Sequence, residues 1–241
     1  MRILVTAGGT IEDIDPVRGI TNYSTGRLGS LIAERFIRAG DEVTYICGEN
    51  AVRPRPHGLG CADASDADEN NADVVVIRSV AQLKERLEAA LRGAAYDCVV
   101  HSMAVSDYSP CAAATEKISS DAPYMVLVLK RLPKIIDLIK DIQPDALLVG
   151  FKLVFDSTED ELLQAAAKLM DRSNADYVLA NDLKDVKDTK DTKDGGHKAI
   201  LLDKSGIVAR CPSKIEIAEV IYNTIYDTVK GKAKGKAKAK T

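Results

Sequence analysis

The 241-residue sequence has little of what secreted, membrane-spanning or zinc-binding proteins need. Its five cysteines are scattered without a Cys-x-x-Cys pair, so the sequence indicates neither a disulfide framework nor a zinc site. The three histidines are equally isolated, and we assign no metal or catalytic role to them. No apolar run approaches the roughly twenty residues of a membrane span, and the N-terminus begins with a strand pattern instead of a signal peptide. We therefore expect a cytoplasmic protein without a membrane partner.

A strong charge of either sign is also missing. The formal net charge is −3 and the isoelectric point is about 5.7, so the protein as a whole does not attract nucleic acid or anionic membranes. The exception is the low-complexity sequence KGKAKGKAKAKT at residues 230–241, which predicts a disordered Lys-rich tail. This tail could touch RNA or an acidic surface, but it has no aromatic residue on which a base would stack.

The sequence does contain alternating strand-like and helix-like patterns. Apolar, mostly β-branched runs predict strands at residues 1–6, 42–46, 74–77, 98–101, 125–129, 147–151, 177–180 and 198–202. Helical spacing of apolar residues predicts helices at 28–37, 80–91, 133–142, 158–173 and 213–229. This order predicts a single α/β domain over residues 1–229, with a Rossmann-like doubly wound, mostly parallel sheet and helices on both faces. Ligands of such sheets bind beyond the carboxyl ends of the strands.

The connection after the first strand, residues 5–29, has the composition of an anion cradle. Glycines follow the strand, and hydroxyl groups and glycines open the predicted helix, so N–H groups and the helix dipole converge on one point. The residues concerned are Gly8, Gly9, Ser24, Thr25, Gly26 and Gly29. The alternative is that Ser24 is only an N-cap and that the glycines only form turns. The polar set Asp15, Arg18 and Asn22 between them favours the cradle, because a plain connector is shorter and less polar.

Later strand ends carry further candidates. Asp107 suits a hydroxyl or a metal-bound phosphate, or it caps a turn. Residues 108–122 lack apolar periodicity and predict a lid, on which Lys117 either closes over phosphates or is solvated. Phe151 either lies against a nucleobase or belongs to the core. Lys168 and Arg172 are four residues apart on a predicted helix, where they form either a cationic grip or a solvated stripe.

A series of motifs in this order resembles one enzyme family. The motifs are GGT and DPVR within residues 8–18, ITNYSTGRLG at 20–29, MAVSDY at 103–108, EKISS at 116–120, LPKII at 132–136, GFKL at 150–153 and AND at 180–182. Together they resemble phosphopantothenoylcysteine synthetase, in the monofunctional form without a decarboxylase domain. The resemblance implies a phosphopantothenate–cysteine ligase of coenzyme A biosynthesis, active as a homodimer. It activates the phosphopantothenate carboxylate as an acyl nucleotide, with CTP favoured over ATP and Mg²⁺ accompanying the triphosphate, and then forms an amide with cysteine.

The resemblance also implies roles for individual residues. Asn22 orients the acyl group for the second step, and Lys117 closes the lid on the phosphates. Arg18 reaches the phosphopantothenate of the partner subunit, because members of the family are dimers, and it has no obvious use within its own subunit. Phosphopantothenate also contacts Met103, Ala104 and Asp107. The nucleotide contacts Gly8, Ser24, Gly26, Gly29, Met103, Asp107, Lys117, Pro133, Lys134, Ile135, Ile136, Phe151, Lys168, Arg172 and Asn181.

Two residues depart from the family pattern. Met103 stands where many bacterial members have alanine, and Arg172 stands where lysine is usual.

Two other functions stay open. An NAD(P)-dependent short-chain reductase would share the fold, but the only Tyr-x-x-x-Lys pair, Tyr226 and Lys230, lies beyond the last strand. A non-catalytic nucleotide-sensing module would need its basic tail for function.

Overall fold

The structure is a computed structural model, and it describes the backbone of residues 1–55, 72–187 and 196–238. Its strands are β1 (Arg2–Ala7), β2 (Ile11–Asp15), β3 (Arg18–Thr21), β4 (Glu42–Gly48), β5 (Ala72–Ile77), β6 (Cys98–His101), β7 (Tyr108–Pro110), β8 (Leu129–Arg131), β9 (Leu147–Val154), β10 (Tyr177–Asp182), β11 (Gly196–Asp203) and β12 (Gly206–Ser213). Its helices are α1 (Arg27–Arg38), α2 (Val80–Gly93), α3 (Asp137–Ile142), α4 (Glu159–Ser173), α5 (Leu183–Lys187) and α6 (Lys214–Lys238).

Eight strands form one sheet in the order β12-β11-β10-β9-β6-β1-β4-β5. All neighbours are parallel except β10 with β11 and β11 with β12, which are antiparallel. Residues of β1 alternate between two cores: Ile3 and Val5 face the core that includes α1 and α6, whereas Leu4 faces the core that includes α2, α3 and α4. The predicted Rossmann-like doubly wound sheet with helices on both faces is therefore confirmed.

The strand order reverses next to β1. From β1 the chain proceeds to β4 and β5 on one side, and then returns to place β6 on the other side of β1. The loops that leave β1 and β6 begin at this point, and we call the carboxyl ends of the strands here the crevice, because ligands of such sheets bind there. The fold therefore places the loops after Ala7 and after His101 at the preferred ligand position of such a sheet.

Two small hairpins stand beside this crevice. Strands β2 and β3 form one of them, within the connection that the sequence predicts as an irregular loop. Strands β7 and β8 form the base of the second, and we call the residues between them, 111–128, the flap. The predicted sheet strand at 125–129 is wrong, because only Leu129 lies in a strand and that strand pairs with β7. Val126 and Val128 are exposed, so the apolar run does not enter the core.

Other boundaries also differ from the predictions. The strand at residues 74–77 is an edge strand with exposed Val74 and Val76, so it is not buried on both faces. Pro133 does not begin a helix, since α3 starts at Asp137. Helix α6 continues to Lys238, although the sequence predicts disorder from residue 230. Lysine and alanine favour helix, and extending an existing helix needs no new nucleus. Residues 239–241 lie outside the described residues.

Candidate active site

The floor of the crevice is a buried polar pair. His101 at the end of β6 is hydrogen-bonded through Nδ1 to Thr6 Oγ1 of β1, at 2.8 Å. Both side chains are buried. Burial lowers the pKa of His101 to about 4, because the charged imidazolium is poorly solvated there. The histidine is therefore neutral at neutral pH, and it offers a hydrogen-bonding ring without a charge.

Above this floor, the loops after β1 and β6 are hydrogen-bonded to each other. Ala104 donates its N–H to the Gly8 carbonyl at 2.8 Å, and Thr10 donates to the Ala104 carbonyl at 3.3 Å. The buried hydroxyl of Thr10 donates to Ser106 Oγ at 3.0 Å. Asn22 Nδ2 donates to the Val105 carbonyl at 3.3 Å. The predicted residues Gly8, Asn22 and Ala104 are thus joined in one wall.

The glycines of the first connection pack against each other and against β4. Gly8 and Gly26 have φ angles of +83° and +70°, which disfavour other residues. A Cβ on Gly26 would lie 3.1 Å from Gly8 N, and one on Gly48 would lie 2.3 Å from Gly9 O. A Cβ on Gly29 would lie 2.5 Å from the Ala7 Cβ. Close backbone packing therefore requires these glycines whether or not an anion binds them.

Helix α1 begins differently from the N-cap alternative. Its N-cap is Gly26, which has no side chain to cap the helix, and the Arg27 N–H donates to Thr25 Oγ1 at 3.4 Å, so Ser24 is not the cap. The first N–H groups of α1 lie beside the Gly8 turn, since Gly8 and Gly26 are in close contact. An anion-binding role for Gly8, Ser24, Gly26 and Gly29 is compatible with this arrangement and stays a prediction.

A cavity of about 390 Å³ adjoins the wall and collects most of the predicted nucleotide contacts. Predicted residues that line it are Met103, Asp107, Pro133, Lys134, Ile135, Ile136, Phe151, Lys168 and Arg172. Sequence reasoning missed His101, Val105, Lys152, Leu153, Ala165 and Leu169. Lys152 and Leu153 belong to the GFKL motif, so the motif itself was an available signal for two of them.

Cations dominate the cavity. Four basic side chains line it, namely Lys134, Lys152, Lys168 and Arg172, against the single carboxylate of Asp107. Lys134 donates a short hydrogen bond to Asp107. Arg172 Nε donates to Asp137 at 3.3 Å, outside the cavity lining. Neither Lys152 nor Lys168 forms an ion pair with another described residue. The excess of positive charge suits an anionic ligand.

Arg18 is engaged within its own subunit, contrary to the expectation from sequence. Its guanidinium donates to Asp15 Oδ2 from Nε at 2.9 Å and from Nη2 at 2.6 Å. Nη2 also donates to the carbonyl of Ile118 in the flap, at 2.6 Å. These bonds from Arg18, with further N–H donors, lower the pKa of Asp15 to about 2. Lys117, the neighbour of Ile118, is exposed and does not line the cavity.

Asn181 is also not where the nucleotide contacts gather. It is buried, and its Nδ2 lies 3.3 Å from His197 Nε2. Alternation along β10 places Asn181 on the face of Leu179, which packs in the α1 and α6 core. Most of the cavity lies on the opposite face, where Ile136 and Met103 pack, and Asn181 does not line it. The predicted contact between Asn181 and a nucleotide in this cavity is therefore not supported by its position.

The described residues contain no cluster of three or more metal-ligating side chains. Mg²⁺ that binds with a triphosphate needs only one or two carboxylates, since phosphate oxygens and water supply the other ligands. Asp107 is the carboxylate in the cavity lining. None of the helices in the described part of the chain is long and apolar enough to cross a membrane.

Known proteins resemble the chain in sequence and in fold. The chain is 43% identical over 183 residues to the coenzyme A biosynthesis bifunctional protein CoaBC of Thermococcus kodakarensis, matching 76% of this chain and 41% of that protein. It is 37% identical over 184 residues to a cysteine/cysteine sulfinic acid decarboxylase of an unknown prokaryotic organism, matching 76% of this chain and 46% of that protein. The chain thus spans less than half the length of these two relatives.

A solved structure matches at nearly full length. The DNA/pantothenate metabolism flavoprotein from Streptococcus pneumoniae is similar with a TM-score of 0.80 and 36% identity, over 95% of this chain and 99% of that one. The family described as the DNA/pantothenate metabolism flavoprotein C-terminal domain matches residues 1–229. This match includes the strand-end crevice, the flap and the cavity. The chain belongs to the family of DNA/pantothenate metabolism flavoprotein C-terminal domains.

Proposed function

We propose that the protein is a phosphopantothenate–cysteine ligase that consumes a nucleoside triphosphate. The observation that carries this proposal is the cationic cavity, which collects Met103, Asp107, Lys134, Phe151 and Lys168 at the strand ends. The family membership and the coenzyme A biosynthesis relative support the same activity. The cavity is of a size usual for small-molecule sites.

In the first half-reaction, the phosphopantothenate carboxylate attacks the α-phosphate of the triphosphate, and pyrophosphate leaves. Lys134, Lys152, Lys168 and Arg172 supply positive charge where the polyphosphate binds. Charge grows on the departing pyrophosphate, so fixed cations stabilise the transition state more than the ground state. Lys117 adds a further cation when the flap closes. Mg²⁺ bound with the triphosphate neutralises phosphate charge, and Asp107 is the side chain that would contact it.

In the second half-reaction, the cysteine amine attacks the acyl carbonyl, and the nucleoside monophosphate leaves. Asn22 lies on the wall beside Ala104 and Val105, with its amide donating to the Val105 carbonyl. An amide donor at this wall orients the acyl group and stabilises the oxygen that becomes negative during attack. We propose that the nucleotide is CTP in preference to ATP, and that the reaction takes place in the cytoplasm.

We propose a homodimer, in which a second copy covers the end of the flap. Residues 124–129 read YMVLVL, and the side chains of Tyr124, Val126 and Val128 are 79%, 79% and 68% exposed. Exposed apolar runs of this kind mark interaction surfaces. Sedimentation of the purified protein should give the mass of two chains, and Val126→Lys with Val128→Lys should shift it to one.

The direct test combines phosphopantothenate, cysteine and Mg²⁺ with CTP or ATP, and measures pyrophosphate and the new amide. Amide with CTP alone supports the full proposal, and comparable rates with ATP would change the nucleotide assignment. Absence of pyrophosphate with both nucleotides would contradict the ligase activity. Tight NADPH binding without CTP binding would favour a reductase, although Tyr226 and Lys230 lie in α6 and contact each other. Deleting residues 230–241 should cost a ligase little turnover, whereas a non-catalytic sensing module would lose its function.

A further inference from the structure

We infer that Asp15 is a positioning residue that holds Lys117 in place through a set of hydrogen bonds to the flap, which we call the clasp. This inference rests on the proposed ligase function. Asp15 is 2% exposed, and its two carboxylate oxygens accept hydrogen bonds from five donors. Oδ1 accepts from the N–H groups of Val17 and Arg18, at 2.9 and 2.8 Å. Oδ2 accepts from the Arg18 guanidinium and from the Ile118 N–H, the latter at 3.2 Å.

The clasp holds Ile118 from both sides of its backbone. The Ile118 N–H donates to Asp15, and the Ile118 carbonyl accepts from Arg18 Nη2. A second attachment lies four residues earlier, where Ala114 donates its N–H to the Ile14 carbonyl at 2.9 Å. Strand β2 therefore holds the flap at two points that flank Lys117.

Strand β2 is itself fixed to the residues after β5 and to the cavity wall. Ile11 donates its N–H to the Arg78 carbonyl at 2.7 Å. The buried Glu12 accepts from the Val80 N–H at the start of α2, at 2.8 Å. Thr10 is bonded to Ser106 in the loop that forms the wall. Strand β2 thus connects the cavity wall to Asp15, which is hydrogen-bonded to the neighbour of Lys117.

Only a carboxylate fits this position. All the partners of Asp15 are donors, and they approach both of its oxygens, so an amide in either orientation would turn its NH₂ group towards other donors. Asp15→Asn is nearly isosteric but leaves at least two N–H groups facing an N–H donor. The clasp still leaves Arg18 Nη1 without a hydrogen bond to a described residue, so Arg18 can contact an anion while it holds the flap.

The experiment measures pyrophosphate release for Asp15→Asn, Lys117→Gln and the double variant, with CTP, phosphopantothenate and Mg²⁺. Asp15→Asn should slow release at least tenfold, and the double variant should be no more than about twofold slower than Lys117→Gln alone, because residues that act through one another are not additive. Asp13→Asn is the matched control. Asp13 lies two residues away in the same strand and pairs with Arg78 instead of the flap, so release should stay within twofold.

Hydrogen exchange of the amides of residues 111–123 gives a readout that does not depend on turnover. Exchange should accelerate in Asp15→Asn and stay unchanged in Asp13→Asn, while β1 amides keep wild-type protection. Ile118→Pro removes the flap donor without altering the hairpin and should reproduce the slower release if Asp15→Asn does not fold.

Unchanged flap exchange with release within twofold of wild type would overturn the inference, as would multiplicative effects in the double variant. If the wild-type protein releases no pyrophosphate, the proposed function fails, whereas the exchange comparison still decides whether Asp15 holds the flap.

Discussion

Two cavities in the described part of the chain lie at the carboxyl ends of strands and differ in their charge, and the larger of these two is the weaker candidate. The cavity of about 510 Å³ lies over β10, β11 and β12, beyond the parallel part of the sheet. Its charged groups neutralise each other: Arg210 pairs with Glu159 at 2.7 Å, and Lys198 with Asp185 at 3.6 Å. The cavity of about 390 Å³ lies near the reversal of strand order, and its Lys152 and Lys168 form no ion pair within the described part of the chain. We therefore base the proposed anion site on unbalanced charge and not on volume.

The floors of the two cavities also differ. His101 lies neutral beneath the smaller cavity, whereas Asp182 of the larger one is ionised. Asp182 accepts from the N–H groups of Ser157 and Lys184, at 2.7 and 2.9 Å, and these bonds lower its pKa to about 2. Protonation of His101 therefore destabilises the fold in mild acid, whereas protonation of Asp182 does so only in strong acid.

The largest effect that we expect concerns these floors and pH. The folded pKa of His101 is about 4 and the unfolded one 6.5, so the unfolded state binds more protons between them. The contribution of His101 to the free energy of unfolding is fully present above pH 6.5, and it falls by up to about 3 kcal/mol as the pH decreases to 4. His197 also has a pKa lowered to about 4 by burial and contributes in the same range.

His101→Gln should therefore remove about half of the decrease in unfolding free energy from pH 7 to pH 4, as measured by urea unfolding. Asp182→Asn should leave that decrease intact and should instead remove part of the loss that wild type shows between pH 3.8 and 2, to which Asp15 also contributes because its pKa is likewise about 2. Equal slopes in His101→Gln and wild type would show that the histidine is not buried as a neutral base.

A tenfold to hundredfold effect should distinguish the cations of the two cavities. Lys168→Gln removes an unpaired cation from the smaller cavity, and a charged hydrogen bond is worth about 1.5–3 kcal/mol, so the dissociation constant for CTP should rise accordingly. Calorimetric titration of CTP measures it. Lys198→Gln, in the larger cavity, is the control and should change the constant less than twofold. A larger effect of Lys198→Gln than of Lys168→Gln would indicate that the nucleotide binds in the larger cavity.

A tenfold effect is expected at the wall of the smaller cavity. Asn22→Asp replaces the amide that donates to the Val105 carbonyl with an anion, which repels the developing negative charge on the acyl oxygen. Amide formation should fall about tenfold, roughly 1.4 kcal/mol, while pyrophosphate is still released and acyl nucleotide accumulates. Rapid-quench chromatography separates the two products. Loss of both half-reactions would contradict the assignment of Asn22 to the second step.

The smallest effect concerns the ion pair of the larger cavity. Arg210 and Glu159 are both more than half exposed, so Arg210→Gln should cost about 0–1 kcal/mol of unfolding free energy. It should leave CTP binding unchanged. Thermal unfolding and the same titration check both points, and weakened CTP binding would mean that the two cavities are coupled.

The sequence predicts the doubly wound sheet because β1 and its neighbours are apolar runs that can only be buried. It also predicts most of the cavity, since the motifs lie directly after these strands. It fails at residues 125–129, where an apolar run stays exposed and only tertiary pairing decides its place. It does not anticipate the bond of Asn181 to His197 or the bonds of Arg18 to Asp15 and Ile118, because a motif gives spacing but not the partner of a side chain.

The contact between Gly48 and Gly9 affects how the first connection can be transplanted. A Cβ on Gly48 would lie 2.3 Å from Gly9 O, and one on Gly8 would lie 2.6 Å from the Ala51 Cβ. The turn after β1 and the turn after β4 therefore form one structural unit, although about forty residues separate them in the chain. A designer who grafts the GGT loop onto another parallel sheet must transfer the small residues of the second turn with it.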